Sequence, residues 1–200
     1  MSNGNWIPCV EIETNNGIRE VSLKTRHFMK RRIFLNGEIN SDLANDIVSQ
    51  LLYLQEDSEE PIYIYINSGG GEINAGLYIY DVIQSMTVPV YMYCTGIAAS
   101  MAAIILAGGQ SGRRFILPHS KTMIHEPLLA HGLGGSATSI RNISESILET
   151  RDITNEILAK HTGKDRAQID EATSYDNYMN ADSTVDFGIC DKVVKSLTEI

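Results

Sequence analysis

The 200-residue chain is poor in cysteine. Its three, Cys9, Cys94 and Cys190, are far apart, odd in number and form no CxxC pair. That excludes a disulfide framework or a cysteine zinc site and fits a reducing compartment. Positive charge is also scarce. Sixteen Lys and Arg stand against 25 Asp and Glu, a net charge of −9, which argues against binding a phosphate backbone. Long apolar runs are missing. The longest, Ile97 to Leu106, is broken by Ser100 and is too short to span a bilayer. The start, Met1 to Trp6, has neither the basic residues nor the apolar run of a secretory signal. No repeat, low-complexity tract or linker is visible. The expectation is one soluble, cytoplasmic domain over residues 1–200, with no membrane or nucleic-acid partner.

What is present is strand signal followed by helix signal. Arg32–Leu35 reads as a strand ending at the turn pair Asn36-Gly37, and Ser41 as the cap of a helix carrying Leu43, Ile47, Val48, Leu51 and Leu54 at helical spacing. Ile62–Ile66 is a strand leading into the loop Asn67–Gly71. A helical stripe follows from Ile73 to Met86, then a strand from Val88 to Cys94, a turn at Gly96, and a helix from Ser100 to Leu106 closed by Gly108-Gly109. Arg114–Leu117 and Thr122–Ile124 read as strands. The longest helical pattern is Ser136–Lys160. Short helices at Arg166–Glu171 and Ser183–Phe187 precede a last strand, Ile189–Val194. Alternating strands and helices predict an α/β fold with largely parallel pairing. The long helix breaks that rhythm and follows a glycine-rich stretch, so it is expected to project.

Three segments carry chemistry. Ser100 lies at a strand-to-helix junction among small residues, in Gly96-Ile-Ala-Ala-Ser100-Met101. A nucleophilic serine needs such exposure, with helix N-terminal amides such as that of Met101 facing the developing oxyanion. The segment equally suits a serine that only caps its helix, and it is not the G-x-S-x-G elbow. His125 directly follows a strand, where a rigid element delivers a proton shuttle to a site edge. Asn67-Ser-Gly-Gly-Gly71 lacks the lysine of a nucleotide P-loop; it reads as an amide donor to an oxyanion or as a plain tight turn. A general-base histidine wants an acid behind it, and composition does not choose among 25 acidic residues.

Taken together, Ile64-Tyr-Ile-Asn-Ser-Gly-Gly-Gly71, Gly96–Met101, Arg114-Phe-Ile-Leu-Pro118, Met123-Ile-His-Glu-Pro-Leu128, His161-Thr-Gly163 and Asp176-Asn-Tyr-Met-Asn-Ala181 resemble the ClpP family, proteolytic subunits of a bacterial ATP-dependent protease. The likeness runs in order from Ile33 to Val194. It implies a ClpP/crotonase-type head of repeated ββα units, an N-terminal axial segment over residues 1–31 and a handle over 131–160. It implies a serine endopeptidase with Ser100 as nucleophile, His125 as general base, Asp176 as orienting acid, and Gly71 and Met101 as oxyanion amides, needing no metal or cofactor. It also implies two stacked heptameric rings enclosing a chamber for unfolded polypeptide. An AAA+ unfoldase of the ClpX or ClpA/ClpC type would dock on an apolar cleft, for which Leu51, Tyr63, Tyr65, Phe115 and Leu117 are candidates, each equally readable as ordinary core.

The chain departs from the family pattern in places. Gly69 stands where a proline is usual, and Glu72 where a small or apolar residue is usual, beside the expected substrate path; a preference for basic substrate side chains would follow. Leu129-Ala130 replaces two glycines at the handle hinge, and Tyr175 replaces an arginine before Asp176. These departures support an alternative, a weakly active or inactive subunit in mixed rings with a second ClpP-type subunit. A crotonase-type acyl-CoA enzyme is disfavoured by the Ser100 and His125 pair, and a Ser-Lys dyad using Lys121 is a less simple account than His125 with Asp176.

Overall fold

The computed structural model describes residues 8–15, 17–128 and 135–197. Its centre is a parallel sheet in which Ile62–Ile66 and Val90–Cys94 are buried or half-buried at every position, which is why they read as near-continuous apolar runs. β1 (Cys9–Thr14) and β2 (Gly17–Ser22) form an antiparallel hairpin before α1 (Leu23–Phe28), all three unanticipated from sequence. Then come β3 (Arg32–Ile39), α2 (Ser41–Asp57), β4 (Ile62–Gly71), α3 (Ile73–Ser85), β5 (Val90–Ala99), α4 (Met101–Ala107), β6 (Arg114–Ile116) and β7 (Lys121–Ile124). The C-terminal part holds α5 (Ala137–Thr162), α6 (Arg166–Thr173), β8 (Asn177–Asn180), α7 (Ala181–Phe187) and β9 (Lys192–Val193). The sheet order is β3-β4-β5-β6-β9, all parallel, with β7 also on β5 and β8 antiparallel to β7. The mixed α/β architecture with a parallel sheet is as expected.

Packing explains the pattern. Ile33, Leu35, Ile62, Ile64 and Ile66 are fully buried, each worth roughly 1.5–3 kcal/mol against exposure. α2 turns Ala44, Ile47, Val48, Leu51 and Leu54 inward. Leu51 is therefore core and not part of an accessible cleft. α4 has every residue buried, which accounts for an apolar segment without a polar face. The opposite face of the sheet carries an aromatic ladder. Phe34, Tyr65, Tyr93 and Phe115 are register partners on β3, β4, β5 and β6 and stack at 5.1–5.4 Å between ring centroids. Tyr63 and Leu117 are partly buried beside it. The first half of α5 buries no residue; Thr154, Asn155 and Leu158 anchor its second half. Among the described residues no helix is long and apolar enough to cross a membrane.

Three strands outrun their expected ends. β3 continues past Asn36-Gly37 through a bulge, with Gly37 at φ 83°. β4 takes in the whole glycine run to Gly71, and β5 passes Gly96 to Ala99. Glycine and turn residues marked local irregularities that the sheet absorbs, because a bulge lets pairing resume after an unpaired residue. The α2 cap is Asn40, whose side chain accepts from Leu43 N–H, not Ser41.

A buried ion pair joins the two ends of the fold. Arg114 donates to both carboxylate oxygens of Asp191, at 3.1 and 2.6 Å, and to the carbonyls of Ala107, His161 and Gly188. Burial opposes the Asp191 charge, but the Arg114 side chain, backbone hydrogen bonds and Arg114 charge hold its pKa below 3.8. Nearby, Tyr80 Oη lies 2.8 Å from His161 Nε2. Burial first, then the charges of Lys160 and Arg114, lower the His161 pKa from 6.5.

Two outcomes follow. Asp191→Ala leaves a buried guanidinium without its partner and is expected to cost about 3 kcal/mol in urea denaturation. His161 is kept neutral by the fold, so the native state binds its proton less readily than the unfolded chain. Stability is expected to fall as pH drops through 6.5, and His161→Gln to lose less melting temperature between pH 7.5 and 5.5 than the wild type. Asp191 adds nothing in that window, because its contribution is lost only at pH values below its ordinary 3.8.

Candidate active site

β5 forks. Met92–Cys94 pair with β6, and Ile97–Ala99 pair with β7. Ser100 is the first residue past that second ladder. Its N–H still donates to Met123 O at 2.8 Å, but its backbone turns sharply, to φ 54° and ψ −125°, a conformation that costs a side-chain-bearing residue about 1–3 kcal/mol. This is the strained strand-to-helix turn of a nucleophile elbow without the G-x-S-x-G sequence. Its hydroxyl makes no capping bond to α4, so the capping alternative is set aside.

The next ladder places the other two groups. β7 and β8 pair antiparallel as Lys121↔Asn180, Thr122↔Met179, Met123↔Tyr178 and Ile124↔Asn177. The next rung would match His125 with Asp176. Residues on successive rungs lie close enough for side chains to meet, and they do. His125 Nδ1 is 3.0 Å from Asp176 Oδ1, and His125 Nε2 is 2.9 Å from Ser100 Oγ. The carboxylate favours the Nδ1–H tautomer, which leaves Nε2 to accept the Ser100 proton. Asp176 is 62% exposed and His125 only 15%, so the chain runs from solvent inward to the serine. Lys121 is exposed at the far end of β7.

Gly71 and Met101 flank the serine. Glu72 N–H donates to Ile39 O on β3 at 2.7 Å. Successive amides of an extended strand face opposite edges, so the Gly71 N–H faces away from β3. Met101 opens α4, where the first amides have no intrahelical acceptor. A cavity of about 240 Å³ adjoins, lined by Gly71, Ile73, Ser100, Met101, His125 and Thr154 among others. Glu72 does not line it; its carboxylate accepts from the Ser41 hydroxyl at 3.1 Å. That bond ties the Glu72 carboxylate to the first turn of α2. Leu129-Ala130 and residues 131–134 lie outside the described residues.

Sequence reasoning missed Ser68. It is 1% exposed, donates to Gly37 O at 2.6 Å and accepts from Gly70 N–H at 3.1 Å. The contact to Gly37 lies at the β3 bulge, which no residue spacing announces.

The model of the Clp protease family matches residues 15–197. A curated relative, the ATP-dependent Clp protease proteolytic subunit of Ligilactobacillus salivarius (strain UCC118), is 42% identical over 197 residues, covering 98% of this chain and 99% of that protein.

The approach of the two strand ends is tight. A Cβ at Gly70, which sits at φ 93°, would lie 2.7 Å from both Ala99 O and Ser100 Cβ. Gly70→Ala is expected to lower the melting temperature by several degrees and to lengthen the Ser100–His125 bond in a crystal structure of the variant.

Proposed function

The chain belongs to the Clp protease family, and from that premise we propose that it is the proteolytic subunit of an ATP-dependent protease, a serine endopeptidase acting through Ser100, His125 and Asp176. The observation that carries this reading is the unbroken chain of contacts from Asp176 through His125 to Ser100. His125 Nε2 takes the Ser100 proton as Oγ attacks a peptide carbonyl. The oxyanion is received by the Gly71 and Met101 amides, which need no reorganisation. His125 then gives its proton to the leaving amine, and an acyl-enzyme forms on Ser100. Water, deprotonated by His125, attacks the ester and frees the serine. Asp176 keeps Nδ1 protonated and stabilises the imidazolium.

The substrates in this reading are unfolded polypeptides degraded in the cytoplasm within two stacked heptameric rings. One 200-residue head cannot enclose such a chamber. α5 supplies the handle; its first half carries the exposed Ile140 and Leu148, apolar groups that an assembly would cover. The hairpin β1–β2 belongs to the axial segment, and the exposed Phe34 at the edge of the aromatic ladder, with half-buried Tyr63 and Leu117, suits the docking of an AAA+ unfoldase. The intact chain of contacts favours an active subunit over a silent partner in mixed rings.

The decisive measurement uses a fluorogenic peptide together with a fluorophosphonate. Wild-type protein is expected to hydrolyse the peptide and to be labelled at one serine. Ser100→Ala should abolish both, His125→Ala should reduce turnover by roughly 10³-fold or more, and Asp176→Asn by about 10²–10⁴-fold. Labelling that survives Ser100→Ala would overturn the assignment.

A further inference from the structure

The oxyanion amide of Gly71 lies in a run of three glycines, Gly69–Gly71, which is the least rigid backbone a chain can offer. Such a segment loses more entropy on ordering than any other, so something must hold it. Two side chains from outside the reacting set do. On the inner side, the buried Ser68 hydroxyl bridges Gly70 N–H to Gly37 O at the β3 bulge. On the outer side, Glu72 is tied twice to the β3–α2 junction, by its N–H to Ile39 O at 2.7 Å and by its carboxylate to Ser41 Oγ at 3.1 Å. Asn40 already caps α2, so the Ser41 hydroxyl is not needed there. Between the two attachments, Gly71 is pressed so closely on β3 that a Cβ would lie 2.1 Å from Ile39 O.

We infer that Ser68 and the Glu72–Ser41 pair are positioning residues that clamp the Gly71 amide at the oxyanion from both sides. This rests on the serine-peptidase reading above. The clamp touches no substrate, since Glu72 lies outside the cavity lining and Ser68 is buried. Its effect falls on the transition state, where the amide must already be in place. Glu72 in particular acts through Ser41 and not through its charge.

The test uses the full-length assembled enzyme. Labelling of wild type by fluorophosphonate, absent in Ser100→Ala, is established first; its failure would sink the peptidase reading and not the clamp alone. Glu72→Ala and Ser41→Ala are each expected to lower kcat about three- to tenfold with KM within about twofold, since one hydrogen bond is at stake. Binding of a peptide aldehyde, whose hemiacetal oxygen occupies the oxyanion position, should weaken by the same factor. The double variant should be no worse than either single one, and Glu72→Gln, which keeps an acceptor for Ser41, should retain at least about half of wild-type kcat. Ser68→Ala should cost tenfold or more; if it does not fold, the Glu72 and Ser41 arms decide. Unchanged kcat in both arms, effects that multiply in the double variant, or a Glu72→Ala change in KM or in preference for basic side chains would overturn the proposal.

Discussion

The site depends on one steric constraint: the end of β4 meets its neighbours at two positions that cannot carry a side chain. Gly70 has Ala99 O and Ser100 Cβ within 2.7 Å of where its Cβ would be, and Gly71 has Ile39 O within 2.1 Å. Both adopt positive φ. Backbone-to-backbone contact of this kind places an amide beside a serine without spending a side chain on either. The consequence spreads outward. β4 must stay extended through its glycines, β3 must bulge at Gly37 to follow it, and Ser100 must turn at the end of β5 and not earlier.

The other half of the site is set by register and not by sterics. β5 is long enough to pair with β6 first and β7 second, and β7 then holds β8 on its free edge. Each ladder stops one residue before a reacting group. Ser100, His125 and Asp176 are therefore neighbours across three strands, although 25 and 51 residues separate them along the chain. Strand ends suit this task because the ladder fixes the backbone up to the last rung while the next side chain remains outside the sheet. The supporting body is correspondingly stiff: α4 is buried on every side, and Arg114 holds three carbonyls and a carboxylate in one place.

How much of this was legible in the sequence differs by residue. Ser100 and His125 stood at strand ends that apolar runs mark clearly, so their placement was readable from residue type and spacing. Asp176 was not, because β8 is a four-residue strand, Asn177–Asn180, with mostly polar residues. Its existence depends on pairing with β7, a tertiary fact, and only the family resemblance pointed to the acid. The glycine runs misled in one respect. Asn36-Gly37, Asn67–Gly71 and Gly96 carry the local signature of turns, yet the sheet continues through all three. Glu72 shows the limit of reading charge from position alone: its hydrogen bond to Ser41 at the start of α2 had no signal in the sequence. The hairpin β1–β2 was overlooked although Val10-Glu11-Ile12-Glu13 alternates: the run is short, and no residue of either strand is fully buried.

The conformation of Ser100 sets function against durability. At φ 54° and ψ −125° the position is one that glycine occupies without penalty and serine does not. The penalty comes from the Cβ and not from the hydroxyl, so glycine would relieve it and alanine would not. In the proposed reading, this local deficit in stability is what it costs to hold a hydroxyl at the strand end.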